Sequence, residues 1–176
     1  MVKTAIPLLA LAMAASVAAV PAATSPTTFS FAQWVEDIIT NPDAALTVDE
    51  AVAAARAADI IGSAAGLQKR AWCDQDGWKR APGRDAAACV DYLARKGQSG
   101  INCGIPAGGP AIQMCRIGGA QIQASRGTQI PQSVNCNDIA RTAGIVFDNC
   151  WRSDDTIAGS EICITERRML IGILGA

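Results

Sequence analysis

Three kinds of apolar pattern follow one another along the chain. Ala5 to Val20 is an apolar run broken only by small residues, behind a single cation at Lys3. With the small residues from Ala19 to Ala23 as cleavage points, this reads as a secretory signal peptide over residues 1–23. A membrane span would need about 20 strongly apolar residues, and this run is shorter and dominated by alanine. The second pattern has helical period. Phe31, Trp34, Val35 and Ile38 form a stripe that Asn41-Pro42 ends. Thr47-Val48-Asp49-Glu50 is a capping box, so a second, alanine-rich helix is expected over Ala51 to Ile61, stopping near Gly62.

The third pattern begins at Ala71 and alternates short strands with helices. Ala71-Trp72-Cys73 is a short apolar start, and Asp85 can cap a helix through Ala86, Ala88, Cys89, Tyr92 and Leu93, with Gly97 ending it. Ile101 to Gly104 reads as extended. Ile112 to Ile117 and Ala120 to Ala124 read as strands about Gly118-Gly119, the second alternating Ala120, Ile122, Ala124 against Gln121, Gln123, Ser125. Asn135 or Asn137 opens another helix with Ile139, Ala143, Val146, Phe147 and Cys150 inside. Glu161 to Thr165 and Met169 to Leu174 are closing strands around a Glu166-Arg167-Arg168 turn. The class expected is α+β: an antiparallel sheet with two helices packed on it, stabilised by disulfides.

Composition narrows the chemistry. Among 176 residues there is no histidine, which removes Ser-His-Asp and Cys-His nucleophiles and every imidazole metal site. A net charge of −1 argues against a nucleic-acid partner. No Asn-x-Ser/Thr sequon is present. All seven cysteines (73, 89, 103, 115, 136, 150 and 163) follow residue 70, none closer to another than 12 residues, which suits bridges in an oxidising compartment rather than zinc or a redox CxxC. No cofactor is implied, and three bridges leave one cysteine over.

Lys69-Arg70, just ahead of the first cysteine, resembles the processing site of a kexin-type protease, whose preference for two adjacent cations is a charge-pairing one. The domains expected are therefore the signal peptide 1–23, a helical pro-segment 24–70, and a cysteine-rich domain 71–176. The pro-segment is acidic, net −3, and the domain carries eleven bases against ten acids. Left uncut, the segment would be an N-terminal helical extension packed on the domain through Phe31 and Trp34. A calcium loop from Asn41, Asp43, Asp49 and Glu50 lacks the mid-loop glycine and ligand spacing of an EF-hand.

The order of Asp85-Ala86-Ala87-Ala88-Cys89, Cys115-Arg116-Ile117-Gly118 with the strand Ala120 to Ala124, Asn137 to Cys150, and Ala158-Gly159-Ser160-Glu161 resembles the virally encoded killer toxin of smut fungi (type four) and its fungal homologues. More loosely it is similar to the necrosis-inducing secreted effectors of plant-pathogenic fungi. The resemblance covers most of 71–176 and implies the two-helix, antiparallel-sheet sandwich. By colinear position it also implies the pairs Cys73–Cys150, Cys89–Cys163 and Cys103–Cys115, with Cys136 odd.

The function expected is that of a secreted fungal toxin-like or effector protein that binds an extracellular protein or membrane target of another organism, without catalysis. Its candidate surface is Trp78-Lys79-Arg80, Arg116 and Trp151-Arg152, since aromatics and arginine dominate binding hot spots. Trp151, next to a helix cysteine, has a core reading beside the contact one. Arg167-Arg168 reads first as a solvated turn. The alternatives are a small hydrolase using carboxylates such as Asp74, Asp76, Asp154, Asp155 or Glu161, and a structural extracellular protein linked between chains through Cys136.

Overall fold

The structure, a computed structural model, describes residues 29–58, 71–109, 111–127 and 130–176. The signal peptide and the Lys69-Arg70 site lie outside the described residues.

Two helices come first, α1 (Phe31–Thr40) and α2 (Val48–Ala57). Ser30 caps α1, and all four members of its apolar stripe are buried. Thr47 and Glu50 close both halves of the expected capping box on α2. The disulfide-bearing part contains β1 (Trp72–Cys73), β2 (Ala81–Pro82), α3 (Gly83–Gln98), β3 (Asn102–Ile105), β4 (Ala111–Ile117), β5 (Ala120–Arg126), β6 (Gln132–Asn135), α4 (Cys136–Cys150), β7 (Thr156–Ile157), β8 (Gly159–Ile162) and β9 (Met169–Gly175).

The main sheet is five-stranded and antiparallel in the order β1-β8-β9-β5-β4. Ile122 and Ala124 of β5 lie in register with Ile173 and Ile171 of β9, and these four, with Ala120 and Met169, are fully buried. Helix α3 covers the β4–β5 side and α4 the β8–β9 side. The α+β sandwich expected from periodicity is therefore the fold. Two short pairs, β2 with β7 and β3 with β6, stitch the loops around the helices; of these four strands only β3 was foreseen, as the extended Ile101 to Gly104. Asp85, expected to cap α3 from outside, sits within its first turn, and its carboxylate accepts from Gly119 N at the β4–β5 turn (2.9 Å).

Three disulfides tie helices to strands: Cys73–Cys150, Cys89–Cys115 and Cys103–Cys136. The first is the pair the resemblance implies; the other two replace Cys89–Cys163 and Cys103–Cys115. The reason is a β-bulge between Gln113 and Cys115. Simple alternation from Ile112 would turn Cys115 to the outer face, but the extra residue brings Cys115 opposite the buried Ile122, under α3 and its Cys89. Cys103 in turn lies opposite Val134 on β6, and Cys136 follows that strand directly. Cys136 is thus bonded, and the link between chains assigned to it falls. The free cysteine is Cys163, 1% exposed just after β8.

Helix α1 lies on α3 and α4, and α2 lies on α3 and α1. Residues 29–58 and the disulfide domain therefore share one core.

Candidate functional site

The densest aromatic cluster is the seam between α1 and the outer side of α3–α4. Phe31, at the first position of α1, stacks 4.3 Å from Phe147 and 5.0 Å from Trp151, with Trp34 and Phe29 edge-on at 5.8 and 5.1 Å. Phe31, Trp34, Val35 and Ile38 are at most 1% exposed. Gly144 of α4 allows the backbones to approach: a Cβ there would lie 2.9 Å from the Ala32 Cα, closer than real Cβ contacts run. Trp34 Nε1 donates to Leu46 O (2.8 Å), which holds the α1–α2 connection against the helix.

Asp148, on the outer side of α4, sits at the end of α1. Its carboxylate accepts from Ser30 Oγ (2.7 Å), Phe31 N (2.6 Å) and Ala32 N (3.1 Å). It thereby serves two amides that the first turn of a helix leaves without partners, and it places a negative group at the positive end of the dipole. Burial raises its pKa above the ordinary 3.8, outweighing the three hydrogen bonds that pull it down.

Three bidentate ion pairs rim the seam. Arg141 of α4 grips Glu36 (2.6 and 3.0 Å), Arg84 of α3 grips Asp49 (2.6 and 3.1 Å), and Arg56 of α2 grips Asp155 (2.9 and 2.8 Å). The Arg84 hydrogen bonds hold Asp49 below the usual carboxylate range, and Glu36 raises the Arg141 pKa. These pairs stand largely in solvent, which screens them, so they hold far less than the aromatics do: truncating a buried phenylalanine costs about 3–5 kcal/mol. The aromatics hold the segment, and the ion pairs set its register. One feature opposes: Trp151 Nε1 is buried with no partner among the described residues, a cost of about 1–3 kcal/mol.

The candidate surface from the sequence is divided among three places. Trp151 is 6% exposed and belongs to the seam. Trp78, Lys79, Arg80 and Arg152 gather at a corner of the domain. There Arg80 bonds Thr156 Oγ1 (2.6 Å), Thr156 O (2.8 Å) and Cys150 O (3.1 Å), and both Arg80 and Arg152 pair with Asp74. Arg80 is a latch between loops, and Trp78 packs where Gly172 leaves room on the outer sheet face. Arg116 is exposed on β4, at the opposite sheet edge from β1. Arg168 pairs with Glu166 within its turn (2.8 and 2.7 Å) and holds that carboxyl at about 2.

Of the candidate carboxylates, Asp154 accepts from Thr156 N (3.1 Å) and Oγ1 (2.6 Å), bonds that lower its pKa, and Asp155 holds Arg56. Glu161 accepts from Ile162 N (2.8 Å). Asp148, Arg141 and Gly144 were missed. The available signal was α4 itself, where Ala140, Gly144 and Phe147 widen the buried surface well beyond the single stripe that covering a sheet requires.

The family model described as "Domain of unknown function (DUF8794)" matches residues 68–175. The chain belongs to this family. The matched DUF8794 region takes in all seven cysteines and both helices that form the face, and it starts after α2. No curated protein and no solved structure matches the chain.

Proposed function

We propose that the protein is a secreted toxin-like or effector protein that acts by binding a target of a host or competing organism. The observation that carries this reading is the seam: an aromatic face with a charged rim, closed by a segment that precedes a dibasic site in the sequence. A kexin-type cut after Arg70 would make 71–176 the working form. Three disulfides suit an extracellular compartment, and among the described residues no helix is long and apolar enough to cross a membrane. The engagement of Asp74, Asp154 and Asp155 in structural contacts favours binding over carboxylate catalysis. The likeness in element order to the smut-fungus killer toxin supports the same reading.

The experiment is intact mass of the protein secreted by its own host, followed by growth-inhibition and leaf-necrosis assays. A secreted chain beginning at Ala71, active where the Lys69→Ala/Arg70→Ala precursor is inactive, is the expected result. A secreted chain beginning near Thr24, or equal activity of the two forms, overturns it.

A further inference from the structure

Every disulfide lies within the domain, so the linker 59–70 is the single covalent tie between the described segment 29–58 and the face it covers. The face belongs to the part of the chain that defines the family, and its occupant does not. What the face offers is specific to a helix. Gly144 makes room for a backbone rather than for a long side chain. Asp148 accepts two successive main-chain amides and a hydroxyl, the groups presented by a helix start with a serine cap. Phe147 and Trp151 receive an aromatic from the first turn. Arg141 then takes an acid five residues further along, Glu36 relative to Phe31.

We infer that the outer face of α3–α4 is a helix-binding site in its own right, and that segment 29–58 is its detachable occupant. What the site recognises is the set of features this segment presents: a serine cap at Ser30, an aromatic in the first turn, apolar residues three, four and seven positions on, and an acid for Arg141. The inference rests on reading the domain as a binder. It adds that the binding domain carries its own detachable cover, whose release exposes the aromatic face.

The test uses the full chain carrying a specific protease site inserted after Gly62, so that the cut does not depend on Lys69-Arg70. After cutting, a fluorescein-labelled peptide of residues 29–58 is added and its polarisation followed, with circular dichroism as the check on the domain. The expected result is slow uptake of the peptide by exchange, reversed by excess unlabelled peptide, with the domain spectrum unchanged. A Phe31→Ala peptide should bind at least about a hundredfold more weakly, and a Glu36→Gln peptide about two- to fivefold more weakly. Uptake that is indifferent to Phe31→Ala overturns the inference, as does a folded domain that takes up no peptide. So does a domain that unfolds when the segment leaves, because the face then does not exist without its occupant. If the inserted cut gives exchange while the host secretes an uncut chain, the processing reading falls and the binding site stands.

Discussion

The two regions that share the core are held by different physics. The disulfide domain closes loops of 26, 33 and 77 residues with covalent bridges and adds a five-stranded sheet. The helical pair 29–58 contributes no strand and no cysteine; it is held by one aromatic seam, one buried carboxylate and a rim of ion pairs. Cross-links act mainly on the unfolded chain and are indifferent to salt, whereas a seam depends on burial and on protonation. The proposed separability requires that a region fixed in the second way leave its neighbour while the bridges keep the domain closed.

The largest expected effect that separates the two regions is Phe31→Ala. It should destabilise the segment by about 3–5 kcal/mol, read as early loss of protection in the amides of 29–58 during hydrogen exchange, with α3 and the sheet still protected. Removing the Cys89–Cys115 bridge by double alanine substitution should do the converse. The domain loses about 2–4 kcal/mol in urea unfolding, and the segment is released only with global unfolding.

Asp148→Asn comes next, at about 1–3 kcal/mol, because one amide oxygen replaces two carboxylate oxygens and its NH2 faces a backbone donor. The sign of its pH effect is distinctive. Its carboxyl is raised by burial, so its contribution is complete below 3.8 and is lost as pH rises through the higher folded value. Asp49 is lowered and acts oppositely: its contribution is present above its ordinary value and lost as pH falls. Denaturation followed from pH 3 to 7 should therefore show a declining component that Asp148→Asn abolishes.

The smallest change is chemical. In denaturant without reductant one thiol should react with an alkylating agent, peptide mapping should place it at Cys163, and the folded protein should react slowly. Label at Cys136 would contradict the pairing.

Elements that rest on local chemistry were readable in the sequence. The Phe31-Trp34-Val35-Ile38 stripe, the Thr47–Glu50 box, the alternation of β5 and the inner face of α4 each depend on neighbours within a few residues, and each is found as read. What the residues did not disclose depends on long-range register. A single bulged residue decides which face Cys115 occupies, and colinear order carries no trace of it. Asp148 reads as one more polar helix position, because the amides it serves lie 116 and 117 residues earlier. The packing of Phe31 and Trp34 on the domain was foreseeable, but the partners Phe147 and Trp151 emerge only from the fold.

The most direct measurement of a separable seam is native mass spectrometry of the linker-cut protein across a dilution series. A two-chain species that dissociates reversibly into segment and a folded, fully bridged domain is the expected result. A segment that never leaves short of denaturation, or a domain whose charge-state distribution broadens to that of an unfolded chain when it does leave, would contradict it.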